Sequence, residues 1–205
     1  MPNWCSTKFT FEGEKDEIAR FHKRLNQIIS AESVINDENC WLGNVVVGYG
    51  FDCKKIPCRG HIDDVIDDIV IEGDSAYFCL STTTAWVPLL EMWDFILKGE
   101  YPSVSYVYLA IEPGCGIYIN TDTSGKHYNE KYLLDLVLPE KVFGKDVDLY
   151  NFYSEKADFS KDVKRITGRE FDDVEEIISY ITEQARKKDA LDDCFISIGE
   201  FKSDK

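Results

Sequence analysis

The chain has 205 residues, 44% hydrophobic and 13% aromatic, which is enough apolar material for a real core and excludes a disordered chain. Its 38 acidic residues outnumber 23 basic ones for a net charge of −15, so binding to nucleic-acid backbones or anionic membranes is disfavoured. No run approaches a membrane span, the N-terminus lacks the basic-then-apolar order of a secretory signal, and the seven cysteines are an odd count; reduced thiols in a cytoplasmic protein are expected.

Ser6–Glu12 alternates, with Thr7, Phe9 and Phe11 together, and reads as a strand broken by Gly13. Glu14–Ser30 follows as a helix with Ile18, Phe21 and Leu25 on one stripe. The segment 31–66 is long for a loop inside a compact domain, and segments of that length are usually functional or have structure of their own. Within it Val45, Val46 and Val47 suit either a buried helical turn or a short strand. Ile69–Glu72 and Ala76–Thr82 read as a hairpin across Gly73-Asp74.

A helix is then expected to start at Pro88, to carry Leu89, Leu90, Trp93, Ile96 and Leu97 on one stripe, and to stop at Gly99. Val104–Ile111 alternates again. Val107, Leu109 and Ile111 are placed on the core face, and Tyr106, Tyr108 and Glu112 on the other. Pro113-Gly114 is a turn, and Ile117–Asn120 the returning strand. The expected core gathers Phe9, Phe11, Phe78, Leu80, Leu109 and Ile111 with Phe21, Leu25 and Trp93. Further on, Tyr132–Leu138 is a strand and Ser154–Ile166 a helix. Thr167-Gly168-Arg169-Glu170 reads as a capping box opening the longest helix, with Ile166 and Phe171 as its staple; Cys194–Phe201 is a last strand.

The opening Met1-Pro2-Asn3-Trp4-Cys5-Ser6, the Thr84-Ala85-Trp86-x-Pro88 segment and Glu112-Pro113-Gly114 together resemble the YubB-like ferredoxin-like family of phage- and plasmid-borne proteins. The resemblance covers roughly the first 120 residues; Val87 and Leu89 depart from it where a Ser and a second Pro are common. It implies an α+β fold with a ferredoxin-like β-α-β-β-α-β core and a mainly antiparallel sheet. It implies no established activity, so no catalytic residue is carried over. On that reading residues 1–125 are the ferredoxin-like domain with an insertion at about 31–66, and residues 126–205 are an α+β extension packed on the same unit.

Four sets of residues are candidate sites. Cys53, Cys58 and His61, with Cys5 or Cys40 as a further ligand, have the donor types zinc takes. They lack paired C-x2-C knuckles, so buried thiols are the preferred reading and no cofactor is expected. Asp63, Asp64, Asp67 and Asp68, with Glu72 and Asp74, form an acidic run without the alternation and glycine of a calcium loop, which favours a solvated face. Cys115 with His127 would make a nucleophile pair, but glycines flanking Cys115 are what a hairpin turn needs anyway. Trp86, Tyr106, Tyr108 and Glu112 are the candidate lining of a groove.

Charge placement decides among these. Residues 61–124 hold one basic side chain, Lys98, and 11 acidic ones, net −10, against 0 for residues 1–60 and −5 for residues 125–205. The expectation is a non-catalytic interaction protein presenting this acidic surface to a protein partner with a basic surface. A metal- or Cys/His-dependent enzyme, and a small-molecule or peptide-binding module near Trp86 and Glu112, are the alternatives.

Overall fold

A computed structural model describes residues 3–30, 40–63 and 68–203. It is an α+β structure built on mostly antiparallel sheets, and its residues divide into two compact units, Met1–Ile117 and Tyr118–Lys205. Among the described residues no helix is long and apolar enough to cross a membrane.

The first unit is organised on β1, Trp4–Glu14, which runs on through Gly13 instead of breaking there. After it come α1 (Lys15–Ile29), α2 (Leu42–Gly48), the short strands β2 (Gly60–Ile62) and β3 (Val70–Glu72), β4 (Ser75–Ala85), α3 (Leu90–Glu100) and β5 (Ser105–Glu112). The sheet order is β2-β4-β1-β5, all neighbours antiparallel, and β3 pairs with a second stretch of β4. The valines of α2 are therefore helical, and three-residue β2 is an element too short for periodicity to find.

Register fixes which side chains share a face. Phe9 lies between Leu80 and Tyr108, and Phe11 between Phe78 and Tyr106. Phe21 of α1 and Trp93 of α3 close over them, each with its ring 5.1 Å from that of Phe11. The expected core is corrected in β5. Leu109 is level with Lys8 and Ile111 with Ser6, on the opposite face, while Tyr106 and Tyr108 pack against Phe9 and Phe11. A tyrosine buries its ring and keeps a polar tip, so its hydroxyl misleads a polar/apolar alternation. The Tyr106 hydroxyl finds its partner on α3, donating to Asp94 Oδ1 at 2.6 Å.

Helix α3 also begins and ends elsewhere than expected. It starts at Leu90, after Pro88, and runs through Gly99 to Glu100, with Tyr101 as its C-cap. Tyr101 is buried against Phe21 at 4.9 Å between ring centroids, so packing rather than a glycine sets the end.

Beyond a 3-10 turn at Pro113–Cys115, β6 (Ile117–Asn120) carries the chain into the second unit. There β7 (Tyr132–Leu138), α4 (Glu140–Phe143), β8 (Val147–Tyr153), α5 (Lys156–Thr167), α6 (Val174–Lys187) and β9 (Phe195–Glu200) follow. Its sheet has the antiparallel order β8-β7-β9. Tyr132, Leu134, Leu136 and Leu138 present one face, over which Phe159, Val163 and Ile166 of α5 and Ile177 and Ile181 of α6 pack.

The expected capping box does not form. Gly168 instead closes α5 at φ 76°, a left-handed conformation that glycine takes without a Cβ penalty. The Thr167 hydroxyl donates back to Val163 O at 2.8 Å. α6 starts later, at an equivalent device: the Asp173 carboxylate accepts from Glu176 N at 2.8 Å, and Glu176 accepts from Asp172 N at 3.3 Å. At 14 residues it is shorter than 15-residue α1.

Candidate functional site

The three sequence motifs meet at one end of the first unit's sheet. Trp4 is level with Ala85 and Cys5 with Thr84, and Ser6 opposite Ile111 brings Glu112 beside the start of β1. The chain then turns sharply after β4. Trp86 N donates to Asn3 O at 2.8 Å, Val87 N to Ala85 O at 2.9 Å, and the Thr84 hydroxyl to Val87 O at 2.8 Å. Those bonds hold Trp86 at φ 67°. A left-handed conformation at a bulky residue costs about 1–3 kcal/mol and persists only where its surroundings over-determine it. The residue is nevertheless 47% exposed, so core burial does not offset the strain.

Arg59, just before β2, and His61 within it border this end. The Arg59 carbonyl accepts from Ala85 N at 3.0 Å, and its guanidinium sits 5.3 Å from the Trp86 ring centre. The His61 ring approaches Trp4 edge-on at 6.3 Å, with Nε2 3.3 Å from Asp63 Oδ1.

On the far side of β1, Glu112 is 4% exposed and spends its carboxylate on the turn that follows. It accepts from Gly114 N at 3.0 Å and from Cys115 N, capping the 3-10 turn. A Cβ on Gly114 would collide with the Asn3 amide, so the glycine is what lets Asn3 lie against this turn.

This end supplies no activated thiol. Burial pushes the Cys5 thiol up, with Glu112 adding to the effect and the Thr7 hydroxyl opposing it. The Cys115 thiol is also raised, mainly by its hydrogen bond to Glu112. A nucleophilic cysteine needs the opposite, a cationic or dipolar neighbour that stabilises the thiolate. All seven cysteines are free.

Among the described residues no group of three His, Cys, Asp or Glu side chains is placed to hold a metal ion. Cys58 turns its thiol to Cys53 O at 3.5 Å and is raised by burial and then by Cys53, while His61 is engaged with Trp4 and Asp63. The proposed groove is corrected: Tyr106 and Tyr108 face the helix-covered core and Glu112 is buried at its turn, leaving Trp86 alone exposed of the four. Burial, then the bond to Asp94, raises the Tyr106 phenol well above its ordinary value. Of the acidic run, Asp63, Asp68, Glu72 and Asp74 are exposed, and Asp64 and Asp67 lie outside the described residues. Val70 and Ile71 of β3, between these carboxylates, are 43% and 55% exposed.

Sequence reasoning passed over one structured loop in the second unit. Asp122, 7% exposed, accepts from Ser124 N at 3.1 Å, the Ser124 hydroxyl at 2.5 Å, Gly125 N at 3.1 Å, His127 N at 2.6 Å and Tyr128 N at 3.0 Å. Burial would raise its carboxyl, but the bonds from Ser124, His127 and Tyr128 outweigh that and hold it well below the usual carboxylate range. The loop borders a polar cavity of about 590 Å³. The signal was in the sequence as Asp122-x-Ser124-Gly125, an Asx-turn pattern.

No protein-family model, curated protein or solved structure matches the chain.

Proposed function

We propose that the protein is a non-catalytic interaction module of the mobile-element type, presenting an acidic surface to a protein partner with a basic surface. The observation that carries this is the edge hairpin of the first unit. Asp68, Glu72 and Asp74 are exposed there, beside Val70 and Ile71, which are exposed on opposite faces of β3. Lys98 is the one basic side chain between residues 61 and 124, so little compensates this field in sequence. A surface shaped only for solubility mixes its signs. We also infer a ferredoxin-like core in the first unit. In its favour are the antiparallel order β2-β4-β1-β5, helices following β1 and β4, and a second strand divided into β2 and β3. The YubB-like resemblance and a cytoplasmic location belong to the same reading.

An acidic field of this kind mainly speeds encounter, and it is screened over about 8 Å at physiological ionic strength. The test compares the parent with a combined Asp68→Asn, Glu72→Gln, Asp74→Asn variant in binding to proteins recovered from a lysate. The variant should associate more slowly and lose most of the salt dependence, with an unchanged circular dichroism spectrum. Equal association rates at low salt would reduce the surface to a solubility device.

A further inference from the structure

The sheet of the second unit has helices on one face only. Leu134, Leu136 and Leu138 of β7 lie under α5 and α6, while Leu133, Asp135 and Val137 point the other way. At one end of that outer face Phe201 packs on Phe152 and on Tyr118, and Tyr118 lies over Gly199 and bonds the Ser197 hydroxyl. Leu133, level with Phe152 and Gly199, is 1% exposed there. The cover stops at that point. Further along, each strand leaves one large apolar side chain in solvent: Phe195 of β9 at 49%, Val137 of β7 at 44% and Tyr150 of β8 at 61%. An antiparallel sheet face left to water normally turns polar. The charge on this face also has a single sign. Strands β7, β8 and β9 contain no Lys, Arg or His, and they set Asp135 level with Tyr150 and Asp148 level with Val137. Among the described residues no hydrogen bond or ion pair reaches Asp135; burial, then Asp148, pushes its carboxyl up. Elsewhere in the unit Glu170, Asp162 and Glu183 do find cations, on Lys164, Arg165 and Lys187.

We propose that this open face docks an amphipathic basic helix of a protein partner, its apolar stripe on Phe195, Val137 and Tyr150 and a lysine or arginine over Asp135. The helix is selected by width. Strands about 4.8 Å apart put β8 and β9 about 10 Å from each other, which is the diameter of one helix with its side chains. The opposite face of the same strands already takes helices in this way. The cation is selected by charge complementarity: a carboxylate without a partner, beside a second carboxylate and among apolar side chains, is satisfied by an incoming positive group. The net charge of −15 on the whole chain adds to that attraction. A second copy of the chain would set Asp135 and Asp148 against carboxylates of its own, and a nucleic acid or an anionic membrane finds no cation on these strands. The proposal is independent of the acidic edge of the first unit, which concerns other residues.

The test titrates a fluorescently labelled amphipathic peptide, Leu-Lys-Lys-Leu-Leu-Lys-Leu-Leu-Lys-Lys-Leu-Leu-Lys-Leu, by polarisation at about 0.15 M salt. Its controls are a version with glutamate for the lysines and a version of the same composition reordered so that no helical stripe forms. The amphipathic basic peptide should bind, and Asp135→Asn and Tyr150→Ser should each weaken it at least about tenfold, as hot-spot truncations do. Asp135→Asn should melt at the parent's temperature or higher, because it removes a carboxylate that Asp148 repels. That separates loss of binding from loss of fold. The Asp68→Asn, Glu72→Gln, Asp74→Asn variant should bind the peptide like the parent, which separates this face from the acidic edge. The proposal is overturned by no binding up to about 1 mM, by equal binding of either control, or by Asp135→Asn and Tyr150→Ser variants that bind like the parent. It is equally overturned if the acidic-edge variant loses as much binding, or if Asp135→Asn melts markedly lower. Sedimentation supplies the last arm: if Asp135→Asn dimerises while still binding the peptide like the parent, Asp135 is a guard against self-pairing and the proposal falls.

Discussion

The two units solve one packing problem with different side chains. Each lays helices over one face of an antiparallel sheet. In the first, the covered face is aromatic: Phe9, Phe11, Phe21, Phe78 and Trp93 stack and cross at 5.1–6.4 Å. In the second it is mainly aliphatic, with Leu134, Leu136, Leu138, Val163, Ile166, Ile177, Ile181 and Ile198 at the centre and Tyr132 over Phe159 at one side. Aromatic packing concentrates stability in a few large side chains, because each ring buries a great deal of area and prefers particular angles to its neighbours. Aliphatic packing spreads it over many smaller ones.

The largest effect should therefore come from a ring in the first unit. Trp93→Ala, at 1% exposure and in contact with Phe9, Phe11 and Phe21, should cost about 3–5 kcal/mol in chemical denaturation. A loss under about 1 kcal/mol would mean that α3 does not cover the sheet.

A middle effect is expected where the second unit depends on polar groups. Asp122→Asn keeps the shape but exchanges one acceptor oxygen for a donor facing backbone N–H groups, and should cost about 2 kcal/mol at neutral pH. The pH dependence carries a sign. The folded carboxyl is held low, so its stabilisation is fully present above the unfolded value, near pH 4, and is lost as pH falls toward the folded value. The gap between parent and variant should stay constant from about pH 8 to about pH 4 and narrow below that. A gap that instead widens on acidification would refute the account of Asp122.

The smallest effect tests the aliphatic side of the comparison. Ile181, fully buried, should tolerate Ile181→Val at a cost of about 0.5–1.5 kcal/mol, measured in the same denaturation assay. A loss as large as that of Trp93→Ala would show that the second core is as concentrated as the first.

The same difference governed what could be read from the sequence. Aliphatic alternation in Tyr132–Leu138 located β7 to the residue, and the 3.6-residue stripe of Ile18, Phe21 and Leu25 located α1. Tyr106 and Tyr108 defeated the method because a tyrosine counts as polar in a pattern and apolar in a core. Strand β8 was passed over for a related reason: Asn151 falls on the face shared by Val147, Leu149 and Tyr153, while aromatic Tyr150 points outward at 61% exposure. Thr167 misled because a capping box and a helix stop share residue types, and only the φ of Gly168 separates them. The site was legible as motifs and illegible as geometry. Asn3, Trp86 and Gly114 stood out as spaced words, but their meeting depends on the register of β1 against β4 and β5, which is long-range. The unpatterned contribution of Arg59 could not be seen from spacing at all.

That register also sets a clock. Strand β1 has no partner until β4 and then β5 exist, because Phe11 pairs with Phe78 and Tyr106. At roughly 5–20 residues per second of synthesis, Phe9 and Phe11 wait on the order of 5–20 s before both flanks are available. The hairpin of β7 and β8 closes over neighbouring sequence and has no such delay. Pairing across long stretches of chain is the slow route to a sheet. The strand that centres the first unit thus spends longer than the β7–β8 hairpin with its aromatic side chains uncovered, and depends meanwhile on what surrounds it at the ribosome.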